Sequence, residues 1–161
     1  MKGAPTRGEL LRLLKEAYAG PAWHGPSLKT AIRGLAAPAA ARRAAPGRNT
    51  PWELVVHCAY SRHVMVGRLT GERGERFPHP VPRHWWPAPG GTSAAAWAAD
   101  RRLLDETHER LLAVVASLPA ARLAARRPGK KMTLGAEVAG VALHDVYHAG
   151  QIVLMRKLGT R

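Results

Sequence analysis

Four long stretches of this chain carry both the start and the stop signals of an α-helix, and these signals constrain the fold most. The clearest example begins at Thr50, a good N-cap, with Pro51 at the first helical position and Glu53 completing a capping box. Gly71 then has the position of a C-cap. Comparable signals predict helices over residues 6–20, 50–71, 93–118 and 133–158.

The pattern predicts an all-α fold in a single domain over residues 1–161. No segment alternates as a strand does, and the abundant alanine with only 6% aromatic residues favours close-packed helices. Long connections separate helices 1 and 2 and helices 2 and 3, so we expect a four-helix bundle with two extended connections. The first connection is predicted to hold a short helix around 27–35 and a turn around 38–44, and residues 122–131 a basic link.

Composition narrows the classes of protein to consider. Twenty-five Lys and Arg against eleven Asp and Glu give a net charge of +14, which raises nucleic acid as a partner. The cations form short doublets rather than a tract, so nucleic-acid binding is the weaker interpretation.

No apolar run approaches the ~20 residues of a membrane helix, and residues 1–8 lack a signal-peptide core, which predicts a soluble cytoplasmic protein without membrane partners. Cys58 is the only cysteine, which excludes an intrachain disulfide and a zinc finger.

Three histidines are the strongest candidates for chemistry. His144 and His148 are four residues apart in a predicted helix, so their rings lie one turn apart on one face. His57 lies in another predicted helix, and all three have apolar neighbours, among which an unpartnered imidazole is costly to bury. One divalent metal would satisfy the three rings and keep coordination positions open for chemistry. The spacing alone is a weak signal, and ordinary helix histidines are the alternative.

The other five histidines are weaker candidates. His63 follows His57 by six residues and points to another side of its helix. His108 lies beside two glutamates and is expected to be solvated. Predicted loops hold the remaining three, His24, His79 and His84. His84 could lie at the mouth of a site, because its neighbours Trp85-Trp86 could form a lid.

Two further residues, Glu137 and Gln151, are placed to support such a site, and a third, Asp145, is a weaker candidate. Glu137 precedes His144 by seven residues on the same face, so it could approach the metal or its water and act as a base. Gln151 follows His148 by three residues and could hydrogen-bond a bound cofactor or ligand. Asp145 lies about 100° around the helix from His144 and suits a metal less well.

These residues resemble a known family. The segments 51–60 and 144–152, together with 22–28 before a predicted short helix, look like the DinB/YfiT-like superfamily of metal-binding four-helix bundles. The resemblance covers nearly the whole chain in order, and its most specific part is the HxxxHxGQI-like motif. In that family one histidine of the second helix and two of the fourth bind a divalent metal, often zinc or nickel. These positions correspond to His57, His144 and His148.

The resemblance implies less about the activity than about the fold and the metal ligands. Some members of the family look like S-transferases or isomerases that use a low-molecular-weight thiol, and dimers are common among them. An arginine-rich surface would suit an acidic thiol or an anionic substrate. Three interpretations therefore stay open: a metal-dependent enzyme of S-transferase or hydrolase type, a non-catalytic metal-binding stress-response protein, and a basic nucleic-acid-binding helical protein. The first implies a small-molecule substrate or thiol as partner, and the resemblance implies a homodimer.

Overall fold

The computed structural model describes residues 5–71, 76–81 and 89–158. Within these residues the regular secondary structure is helical, apart from an isolated bridge between Arg126 and Thr133. The all-α prediction is confirmed. The helices are α1 (Arg7–Tyr18), α2 (Leu28–Ile32), α3 (Ala37–Ala41), α4 (Pro51–Thr70), α5 (Ala94–Ser117), α6 (Ala120–Ala124) and α7 (Leu134–Leu158).

The described part of the chain has seven helices, against the four long ones predicted. The four predicted segments became α1, α4, α5 and α7, and the first long connection holds the short helices α2 and α3. The remaining short helix, α6, was not predicted and overlaps the start of the expected basic link. It forms because Pro119 opens an alanine-rich turn in which Leu123 is buried in the core. No helix in the described ranges has both the length and the apolar character to span a membrane.

Local signals fix both ends of α4, the helix that carries His57. The Thr50 hydroxyl accepts a hydrogen bond from the Glu53 backbone, and the Glu53 carboxylate accepts one from the Thr50 backbone, so the predicted capping box is present. Gly71 ends the helix with φ of 77°, a left-handed conformation that glycine adopts without strain. His57 is therefore held in the second turn of a helix with defined ends.

The four long helices pack side by side around the core. α4 packs against α5 and α7, and α1 packs against α7 and α5, while α2 covers α7 and α3 covers α4. A residue near the start of α4, His57, contacts His144 of α7, and a residue near the end of α4, Arg68, contacts the earlier Glu137 of α7. The two helices are therefore antiparallel, and a groove runs between them.

The core consists of two apolar clusters with a polar layer between them. Trp52 and Ile152 belong to one cluster, and Leu14 and Val138 belong to the other. Three side chains form this polar layer, one each from α4, α5 and α7: Arg62, His108 and Asp145. Each is at most 2% exposed.

The expectation that His108 is solvated was wrong. Its ring is stacked on Tyr18 of α1, with 3.8 Å between the ring centroids. The adjacent glutamates suggested a surface position, but helical rotation places His108 on the inward face of α5 with Leu104 and Leu111.

An ion pair in the polar layer joins α4 to α7. Arg62 Nη2 lies 2.5 Å from Asp145 Oδ2, and both side chains are fully buried. Arg62 Nη1 also donates to the Cys58 carbonyl at 2.9 Å. Burial raises the pKa of Asp145 to about 6 against the opposing effect of Arg62, so the carboxylate is mostly ionised at neutral pH. Because Asp145 adjoins His144, the pair fixes the register of the two helices beside the three histidines.

Candidate metal centre

The three predicted histidines converge in the α4–α7 groove. His144 Nε2 lies 3.0 Å from His57 Nε2 and 3.0 Å from His148 Nε2. His57 and His148 are buried, at 1% and 4% exposure, and His144 is half-buried. One nitrogen from each ring lies within 4.8 Å of the other two, so the three side chains can reach one ion.

The nitrogen separations fit a divalent metal. With metal–nitrogen distances of 2.0–2.1 Å, two ligands lie about 3.3 Å apart at a tetrahedral angle and about 2.9 Å apart at 90°. The two separations of 3.0 Å fall at the short end of that range. These two separations therefore suit one ion bound beside His144, and the third separation is within 4.8 Å.

Gln151 orients one of the three rings. Its Oε1 lies 2.6 Å from His148 Nδ1. An amide oxygen only accepts hydrogen bonds, so Nδ1 carries the proton and Nε2 presents a lone pair toward the other rings. Such a contact from behind fixes the tautomer and the orientation of a metal-binding histidine. A contact of Gln151 with a bound ligand stays a prediction.

We expect Gln151→Ala to weaken zinc binding by about 10–100-fold, because the His148 ring loses the partner that sets its tautomer. Competition with a chromophoric zinc chelator at neutral pH measures the affinity. Gln151→Glu is the matched control, since a carboxylate still accepts from Nδ1 and should retain most of the affinity. Equal affinities for the alanine variant and the wild type would contradict this role.

The histidines are uncharged at neutral pH. Burial, followed by the neighbouring histidines, lowers the pKa of His57 to about 3. Burial is also the main cause for His144, whose pKa falls to about 4, and it lowers the pKa of His148 as well. Metal binding at neutral pH therefore displaces few protons from these rings.

We expect the metal-free protein to lose stability as the pH falls below 6.5. His57 and His108 both have a folded-state pKa of about 3 against 6.5 in the unfolded chain, so the unfolded state binds more protons between these values. Each histidine then removes up to about 1.4 kcal/mol of unfolding free energy per pH unit. Urea denaturation at about pH 7 and about pH 5 measures the change.

Asp145 acts in the opposite direction, because its pKa is raised from 3.8 to about 6 and its contribution to stability is lost as the pH rises through 6. The two histidines together outweigh this one carboxyl. His108→Phe keeps the stacking on Tyr18 and should make the pH dependence shallower. Equal stability at the two pH values would contradict the assignment of buried, uncharged histidines.

A second group of ligand atoms lies close by, formed by Cys58, His144 and Asp145. It suits a metal less well, because Asp145 is paired with Arg62. Burial also raises the pKa of the Cys58 thiol, which keeps it protonated, whereas the thiolate is the form that binds metal. The three-histidine group has neither obstacle.

One of the three histidines, His144, lines a hollow of about 320 Å³ in the α4–α7 groove. His144 lies at one end, and Arg68 and Glu137 lie at the other. The walls between them are largely apolar and come from both helices. A small molecule in this hollow would contact His144 directly.

Glu137 lies in the same hollow as His144 but makes ion pairs there. Arg127 donates three hydrogen bonds of 3.0–3.1 Å to its two carboxylate oxygens, and Arg68 Nη1 donates a fourth at 3.2 Å. Seven residues of helix separate Glu137 from His144, a rise of about 10 Å. Its proposed role as a base stays a prediction, and its contacts show that it anchors two arginines.

The remaining histidines with described positions lie away from the three-histidine group. His63 contacts the ring of Phe77, His79 Nε2 lies 2.6 Å from Asp100 Oδ1, and His24 is exposed. His84 and the proposed Trp85-Trp86 lid lie outside the described residues.

Sequence reasoning missed Arg62. A signal was present, since Asp145 is the only charged residue between Glu137 and Arg156. A carboxylate in so apolar a segment requires a buried cationic partner or a metal.

The fold and the site together define an all-α protein with a three-histidine group in a helix–helix groove. A model of the DinB superfamily matches residues 23–152, about four-fifths of the chain. The chain therefore belongs to the DinB superfamily, which confirms the resemblance seen in the sequence. Neither curated proteins nor solved structures gave a match.

Proposed function

We propose that this protein binds one divalent metal ion, zinc or nickel, through the Nε2 atoms of His57, His144 and His148. We propose further that it uses the ion to act on a small molecule in the α4–α7 groove. One observation carries this proposal: the three rings converge at the end of a hollow large enough for a small molecule. A metal held by three protein ligands keeps positions for substrate, as catalytic rather than structural sites do.

The chemistry of this site would be thiol-dependent S-transfer or hydrolysis. When bound, the metal supplies a positive centre that stabilises a thiolate or lowers the pKa of a water molecule. The residues of the chain hold and orient: Gln151 fixes the His148 ring, and the Arg62–Asp145 pair fixes the helix register. The basic end of the groove favours an anionic thiol, which supports S-transfer over hydrolysis.

Cobalt substitution tests this function with a spectroscopic signal. A small thiol added to the cobalt-loaded protein should produce a sulfur-to-cobalt charge-transfer band, and the thiol should then react with added electrophiles. His24→Ala, which removes an exposed histidine, should behave as the wild type, whereas His148→Ala should show no band. Tight metal binding without thiol ligation, S-transfer or ester hydrolysis would instead support the non-catalytic metal-binding alternative.

The net charge of +14 keeps nucleic-acid binding as an alternative to be tested. Phosphate-driven binding weakens steeply as salt increases. Binding of duplex DNA or RNA at low salt with such a dependence would favour that alternative. We expect none under conditions in which the thiol binds.

We also propose that the protein is a homodimer, which the family resemblance implies. The supporting feature is an exposed apolar stripe on one side of α7, formed by Leu143, Tyr147, Leu154 and Leu158. Sedimentation analysis should give a dimer for the wild type and a monomer for Leu154→Glu. A monomeric wild type at the highest soluble concentration would contradict this proposal.

A further inference from the structure

We propose that the groove ends in a carboxylate-binding subsite formed by Arg68, Arg127, Lys130 and Lys131. It would hold the anionic end of the molecule whose other end reaches the metal, so this inference rests on the proposed function of the three-histidine site.

The subsite adjoins the hollow beside the histidines. A second hollow, of about 410 Å³, is lined by Arg127, Lys130 and Lys131. The two hollows share three lining residues, Arg68, Glu137 and Gly140. One continuous surface therefore leads from His144 to the basic residues.

The charge of this surface favours an anion. Four cationic residues line the two hollows, and Glu137 is the one carboxylate among their described lining residues. The excess of three positive charges lies beside the apolar walls of the groove. Charges of one sign in a groove with low-dielectric walls concentrate the field and raise the local concentration of an oppositely charged ligand.

The two arginines are held in place by an ion pair, and the backbone that carries the two exposed lysines is held by hydrogen bonds. Glu137, whose side chain is 10% exposed, binds both arginines. The loop that carries the two lysines is closed by a hydrogen bond from Leu134 N to Ala125 O and by another from Arg126 Nε to Lys131 O. Arg127 Nη1 and Arg68 Nη2 are not used in these ion pairs, so each fixed guanidinium can donate from this nitrogen to a second carboxylate with little loss of entropy on binding.

The position of the subsite sets the length of its ligand. Glu137 and His144 are separated by about 10 Å of helix rise, and Val64, Met65 and Val141 line the hollow between them. A fitting ligand has a metal-binding group at one end, an apolar middle, and a carboxylate about 10 Å away.

Mercaptocarboxylic acids of increasing length test this arrangement on the cobalt-loaded protein. The charge-transfer band measures the affinity for mercaptopropionate, mercaptohexanoate and mercaptooctanoate, each beside its amide. We expect the preference for acid over amide to grow with length and to reach about tenfold or more for the octanoate, the gain expected from one charge-assisted contact. Equal affinities for the long acid and its amide would overturn the proposal.

A pair of matched double variants locates the effect. Lys130→Met with Lys131→Met should remove most of the preference for the acid. Arg101→Met with Arg102→Met changes the net charge equally but lies on α5, and it should leave the preference intact. An unchanged preference in the lysine variant would also overturn the proposal.

A metal-free experiment separates this proposal from the proposed function. If cobalt or the thiol fails to bind, the proposed function fails. Octanoate should still bind the metal-free protein, and calorimetry should show that the lysine double variant weakens this binding. Octanoate that does not bind, or that binds both double variants equally, would overturn the subsite by itself.

Discussion

Asp145→Ala is expected to lower the free energy of unfolding of the metal-free protein by about 3–5 kcal/mol, because it leaves the buried Arg62 guanidinium without its counter-charge. Both side chains are fully buried, so water cannot replace the lost carboxylate without opening the core. Urea denaturation followed by circular dichroism measures the loss at neutral pH.

Two variants make this result specific. Glu16→Ala breaks the exposed Arg12–Glu16 pair and should cost no more than about 0.5 kcal/mol. The double change Arg62→Met with Asp145→Leu removes both charges and should restore most of the stability, because apolar side chains of similar volume often replace a buried pair well. Wild-type stability in Asp145→Ala would show that the pair does not fasten α4 to α7.

His148→Ala is expected to weaken zinc binding by more than about 100-fold, because it removes a metal ligand. Losing only the hydrogen-bond partner of a ligand, as in Gln151→Ala, costs up to about 100-fold. Chelator competition measures the affinity, and thermal unfolding gives an independent signal. Zinc in excess over its dissociation constant should raise the melting temperature of the wild type by mass action and should leave that of the variant nearly unchanged.

His24→Ala is the matched control for His148→Ala, since it removes an exposed imidazole and should keep wild-type zinc affinity. Equal weakening in both variants would show that zinc binds surface histidines nonspecifically. An unchanged affinity in His148→Ala would exclude this residue as a ligand.

The ends of the long helices could be predicted because their signals are local. The capping box of Thr50 and Glu53 and the left-handed Gly71 depend on neighbours within one or two turns. The convergence of His144 and His148 was predictable for the same reason. His57 was a candidate because of its apolar neighbours, and the resemblance gave the same residue, but its distance from the other two depends on packing between helices.

Features that depend on packing were harder to predict. His108 has charged neighbours in sequence, and only the position of α1 shows that its ring is buried against Tyr18. Arg62 is separated from Asp145 by 83 residues, so no local pattern pairs them. Helical rotation identifies which residues share a face, but it does not identify the partner of that face.

Glu137 illustrates the same limit within the site. The seven-residue spacing correctly placed it on the groove with His144. The arginines that occupy its carboxylate come from α4 and from the loop before α7, and no spacing within α7 indicates them. These contacts make Glu137 the anchor of the proposed carboxylate subsite, and its role as a base stays a prediction.

X-ray absorption spectroscopy of the zinc-loaded, tag-free protein in thiol-free buffer tests the central claim most directly. We predict one zinc per chain with three imidazole nitrogens at about 2.0–2.1 Å and no sulfur ligand. Sulfur scattering at about 2.3 Å would show that Cys58 binds the metal and would contradict the account. Fewer than three histidine ligands would contradict it as well.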